Sequence, residues 1–108
     1  MMLSGLWTAQ FEVTGRRGAG VAVFAGRKVL GGDSGFVWSG AYQEQGDALK
    51  ADVHVKNFEP SVPSVLGPGE YDLHIDGKIQ GDRITGTGTS AALGGTKLNV
   101  TLIKRVSA

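Results

Sequence analysis

Gly31-Gly32-Asp33-Ser34 places a carboxylate and a hydroxyl beside two glycines. Such residues can cradle a phosphate, hold a metal ion or activate a nucleophile. A phosphate cradle needs consecutive backbone N–H groups aimed at the anion, usually at a helix N-terminus. Phe36 to Tyr42, just downstream, instead alternate as a strand does, so the helix is missing. The same four residues suit a chain reversal. Gly32 would take a positive φ, and the Asp33 carboxylate would accept from nearby backbone N–H groups. The turn is the stronger reading.

His54 and His74 are the next candidates. Each falls on the polar side of an alternating segment, and Asp52, Asp72 or Asp76 would have to supply a third ligand for a metal site. Histidines among charged neighbours on a strand surface are the commoner case, and no metal or cofactor is assigned. Ser34 sits in Gly32-Asp33-Ser34-Gly35, which lacks the spacing of a G-x-S-x-G elbow. General acid–base work needs a partly buried carboxylate, yet every acidic residue falls in a loop or on a polar face. The sequence therefore reads as non-enzymatic, with no catalytic residue.

The totals narrow the partners. The chain has 108 residues with a formal net charge of +1, enough for a single domain spanning 1–108. That balance gives no basic stripe for nucleic acid and no reason to expect an anionic membrane surface. Cysteine is absent, which removes disulfides and thiolate chemistry. No apolar run approaches the ~18 residues of a membrane span. Met1-Met2-Leu3-Ser4-Gly5 lacks the charged-then-apolar pattern of a signal peptide, so a cytoplasmic location is the expectation. The 18 glycines are about twice the number that average usage gives. They fall between and within alternating segments, where turns, bulges and crowded barrel interiors use them.

Period-2 alternation runs through nearly the whole chain. In Leu6–Thr14, Trp7, Ala9, Phe11 and Val13 share one face. Ala19–Ala25 is a second strand with Val21 and Val23 on one face, and Lys28–Gly31 is a short third. Phe36, Trp38, Gly40 and Tyr42 line one face of the next. Leu49, Ala51, Val53 and Val55 alternate with Lys50, Asp52, His54 and Lys56. All three prolines fall in Asn57–Gly69, which predicts a long connection with one helical turn near Ser64-Val65-Leu66. Tyr71, Leu73 and Ile75 resume the alternation. Gly86 and Gly88 then oppose Thr85, Thr87 and Thr89, and Leu98, Val100 and Leu102 finish it. About eight short antiparallel strands with tight loops close either as an up-and-down barrel or as a two-sheet sandwich. One apolar and one polar face per strand favours the all-β barrel, which has a single interior.

The aromatics Trp7, Phe11, Trp38 and Tyr71 have two readings. One is a packed core. The other is the lining of a cavity for a small apolar ligand, because Gly40, Gly86 and Gly88 remove side-chain volume from inward faces.

Several of these residues together resemble one known family. "GGDSGFVWSGAY" (31–42) is its most specific part. Pro63-Ser64-Val65-Leu66 follows at a matching distance, then Tyr71-x-Leu73, with Gly18-x-Gly20-Val21 as weaker support. In order and spacing the chain is similar to the GrlR family, the negative regulators of type III secretion, from about Leu6 to Lys104. The resemblance implies a lipocalin-like eight-stranded barrel that forms a homodimer. It also implies binding and restraint of a helix-turn-helix transcriptional activator through an acidic Glu-Asp-Glu-Asp loop. At the matching positions this chain carries Glu44-Gln45-Gly46-Asp47, so two of the four acids are missing. The partner-binding residues that the resemblance implies are these four, with Glu44 and Asp47 as the acidic contacts. Exposed ion pairs contribute only ~0.2–1 kcal/mol each, so the loop's attraction for a basic partner is reduced.

Overall fold

The computed structural model describes residues 3–63 and 69–108. Eight strands follow one another: β1 (Gly5–Val13), β2 (Arg16–Ala25), β3 (Lys28–Gly32), β4 (Phe36–Gln45), β5 (Ala48–Asn57), β6 (Glu70–Gln80), β7 (Arg83–Thr89) and β8 (Leu98–Ser107). Each pairs antiparallel with its neighbours in sequence, and β1 pairs with β8 to close the ring. The barrel, not the sandwich, is formed. The helical turn expected near Ser64-Val65-Leu66 lies outside the described residues. A short 3-10 turn at Ala91–Leu93, capped by the Ser90 hydroxyl, precedes β8.

Tight reversals set the register. Thr14 and Gly15 both have positive φ (44° and 79°), as do Gly26 and Arg27 (54° and 68°). This is the handedness that two-residue hairpins need to match the strand twist. The β1–β2 turn is therefore only two residues long, and β2 starts at Arg16, three residues before the Ala19 start expected from the sequence.

Alternate positions of the strands point inward, as the period-2 pattern predicts. Trp7, Ala9 and Val13 of β1 are buried, as are Leu49, Ala51, Val53 and Val55 of β5. On β2 the inward residues are Ala22 and Phe24, while Val21 and Val23 face out, 45% and 41% exposed. Both faces of β2 are apolar, so alternation alone does not say which one the core takes.

Inward glycines make room for rings. A Cβ on Gly18 would strike the Phe11 ring, with Phe11 Cζ at 2.6 Å, and one on Gly20 would lie 2.6 Å from Trp38 Cη2. Phe11 and Trp38 meet edge to face, their centroids 5.8 Å apart at 88°.

The two ends of the barrel differ. The end with the turns after β2, β4 and β6 is filled by side chains. There Trp7 Nε1 donates to the Leu3 carbonyl at 2.8 Å, and Leu3 and Trp7 are completely buried. Phe24 packs between Trp7 and Tyr42, with centroid distances of 5.6 and 5.0 Å. The interior opens toward the other end, where the connections after β1, β3 and β5 lie.

Candidate functional site

The glycine–aspartate corner is a turn at that open end. Asp33 Oδ1 accepts from the backbone N–H groups of Gly35 and Phe36, both at 2.9 Å. The Asp33 N–H donates to the Phe36 carbonyl at 2.9 Å. The corner is thus an Asx turn. The positive φ expected at Gly32 is absent: Gly32 is not among the positive-φ residues. Glycine is required there by crowding instead, since a Cβ would lie 2.6 Å from the Phe36 carbonyl oxygen. Gly31 faces inward, and its missing side chain leaves space for the Trp38 indole.

Behind the corner lies a cavity of about 280 Å³. Phe11, Trp38 and Tyr71 line it, as do Ala9, Ala22, Ala51, Val53 and Leu102 deeper in, while Arg17, Asp33, Ser34 and Pro63 stand at its mouth. Trp7, grouped with the lining aromatics on the sequence, is instead packed into the closed end against Phe24. There the Lys104 ammonium lies 6.0 Å from its ring centroid. Gly88 leaves no void, because Leu73 fills the space its side chain would take. No charged side chain is buried among the described residues, while the Tyr42 hydroxyl is buried without a hydrogen-bond partner.

The Glu44-Gln45-Gly46-Asp47 hairpin projects from the closed end, opposite the mouth. Gln45, Gly46 and Asp47 are exposed, whereas Glu44 is half-buried. Glu44 continues the inward set Phe36, Trp38, Gly40, Tyr42, so its carboxylate is held at the barrel rim and not on a polar outer face. Burial pushes the Tyr42 hydroxyl up from its ordinary pKa, and the nearby Glu44 charge adds to the rise. Gly46, with φ 62°, makes the tip, and the Asp47 carbonyl accepts from the Ile79 N–H at 2.7 Å.

The outer face of β5 and β6 is a checkerboard of charge. In register, Asp52 lies opposite His74 and His54 opposite Asp72. The two imidazoles are therefore diagonal neighbours on this face. His54 Nδ1 bonds Asp72 at 2.8 Å and its Nε2 bonds Glu70 at 2.7 Å. His74 Nδ1 bonds Asp52 at 2.8 Å, with Asp76 3.3 Å from Nε2. The hydrogen bond to Asp72, then that to Glu70, raises the His54 pKa, and the one to Asp52 raises that of His74. Each imidazole faces carboxylates on two sides as a cation would, and no group of three metal-ligating side chains converges among the described residues.

The opposite outer face is apolar. Val106, Leu6, Val23 and Leu30 form one cross-strand row over β8, β1, β2 and β3. They are 57%, 36%, 41% and 53% exposed. Val21 and Val37 lie beside this row, both opposite Gly32. A register shift at Leu6/Trp7 leaves Arg105 as an extra residue in β8, which turns Val106 to the outside next to Leu6. The row of Val106, Leu6, Val23 and Leu30 was not picked out from the sequence. Its signal was there in "GVAVFA" (20–25), an unbroken apolar run of the kind that marks a strand covered on both sides.

The family described as the type III secretion system (T3SS) negative regulator GrlR matches residues 2–98. The chain belongs to the GrlR family. The match takes in all of β1 to β7 and the first residue of β8, so it contains the Asx corner, the cavity mouth and the Glu44–Asp47 hairpin of this GrlR-family barrel. The closing strand, with Val106 of the apolar row, lies almost wholly beyond it. A search of the curated proteins returns no match.

Proposed function

We propose that this GrlR-family chain is a non-enzymatic cytoplasmic regulator. It acts as a homodimer that holds a helix-turn-helix transcriptional activator by protein contact. The apolar outer row carries the reading. Exposed valines and leucines in one cross-strand line are costly against water, and contiguous patches of this kind mark interaction sites. A second copy offers the same row in return, which is what a two-fold interface requires. A closed barrel has no free strand edge to pair, so the contact is face to face. Val37 flanks the row, whereas Ile103 is only half-buried beside Thr8 and Arg83.

The activator contact rests on the family membership and on the hairpin. Asp47 is the exposed acid at the tip, and Glu44 supports it from the rim. Analytical ultracentrifugation of Leu30→Asp, with circular dichroism to verify the barrel, tests the dimer. The expected result is a folded monomer where the wild type is a dimer; a wild-type monomer at micromolar concentration would sink the interface. Pull-down of a helix-turn-helix activator encoded beside this gene, compared with Asp47→Lys, tests the second contact. Retained binding in the variant would remove the hairpin from it, and no binding by the folded wild type would remove the activator.

A further inference from the structure

We infer that the barrel cavity is a binding site for a compact, uncharged, ring-shaped hydrocarbon compound carrying at most one polar group at the mouth. The site goes beyond the regulator reading and does not depend on it.

Its volume fixes the ligand's size. An apolar engineered cavity of ~150 Å³ stays dry and takes up benzene. At about 280 Å³, this one has room for a bicyclic or small cage body and not for a long acyl chain. The lining fixes the body's chemistry. Ala9, Ala22 and Ala51 reach the interior with only methyl groups, beside the Trp38 indole. Apart from the Trp38 indole N–H, this part of the lining offers no hydrogen-bonding side chain, and a buried polar atom left unpaired costs roughly 2–7 kcal/mol. A polar substituent must therefore remain at the mouth. There the Arg17 guanidinium is exposed and already paired with Glu12 at 2.7 Å, and one Asp33 oxygen is occupied by the turn. A neutral hydroxyl fits this rim better than an ion of either sign.

The mouth and the Glu44–Asp47 hairpin occupy opposite ends of the barrel. A bound ligand therefore leaves the hairpin uncovered, and its first effect is to stabilise the fold.

The test uses the full chain and 1-adamantanol, which is transparent where tryptophan is read. Adamantane-1-carboxylate and 1-adamantylamine vary the charge, and palmitate varies the length. The expected result is saturable one-to-one binding of the alcohol that shifts Trp38 fluorescence and raises the melting temperature. Both ions should bind about tenfold more weakly, and palmitate should not bind. Ala51→Leu fills the cavity and should weaken the alcohol about tenfold or more. Ala9→Val serves as the milder plug if the leucine variant fails to fold. No saturable binding of the alcohol would overturn the site. So would undiminished binding in a folded plugged variant, which would place the ligand on the outer apolar row. Palmitate binding as well as the alcohol would overturn the size argument.

Discussion

Replacing Asp33 by alanine separates a turn from an ion site. One carboxylate oxygen accepts two backbone N–H groups, from Gly35 and Phe36, both at 2.9 Å. Those two residues are buried, so in Asp33→Ala two donors lose their acceptor in place. Each buried donor left unsatisfied costs about 1–3 kcal/mol. Water can approach from the exposed Ser34 side, which puts each donor in the lower half of that range and the two together at about 2–4 kcal/mol. Against a total stability of roughly 5–15 kcal/mol, the barrel still folds. For a domain of this size the melting temperature should fall by about 10–25 °C. Asp33→Asn keeps an oxygen in the same place and loses only the charge, so about 1 kcal/mol is expected. Urea denaturation with an unchanged m-value, together with calorimetry, measures both variants. The reasoning fails if alanine changes stability by less than about 0.5 kcal/mol. It also fails if asparagine is as damaging as alanine, because then the charge, and not the acceptor, is what the corner uses.

Two further outcomes follow from the packing and the charges. Gly20→Ala places a methyl 2.6 Å from Trp38 Cη2 and 2.5 Å from the Gly32 carbonyl oxygen. It should cost about 1–3 kcal/mol in urea melts and shift the Trp38 emission; an unchanged melt would show that the ring is not seated there. His54 and His74 have raised pKa values in the folded state. Their pairs therefore stabilise the fold fully below the ordinary value of ~6.5, and the contribution is lost as pH rises through the raised folded values. NMR titration should find both midpoints above the ordinary one. Asp72→Asn should lower that of His54 and spare that of His74, and equal movement of the two would contradict the separate pairings.

Much of this fold is written locally. The alternation of Leu49, Ala51, Val53 and Val55 with Lys50, Asp52, His54 and Lys56 is enough to make β5 and to choose its inner face, because successive side chains point to opposite sides. Asp33 carries its turn in its own side chain, which reaches backbone groups only two and three residues away. Where apolar residues occupy both sets, as in β2, the pattern makes the strand without choosing its face. Gly32 illustrates another limit: the sequence calls for glycine but does not say whether φ or crowding demands it. What decides these cases comes from chain far away. Closure of β1 onto β8 selects the barrel, Trp38 of β4 fills the space over Gly20 and Gly31, and Leu3 and Phe24 draw Trp7 into the closed end. The cavity volume is the space those rings leave along the axis. A void belongs to no residue, so it exists only once every strand is in register.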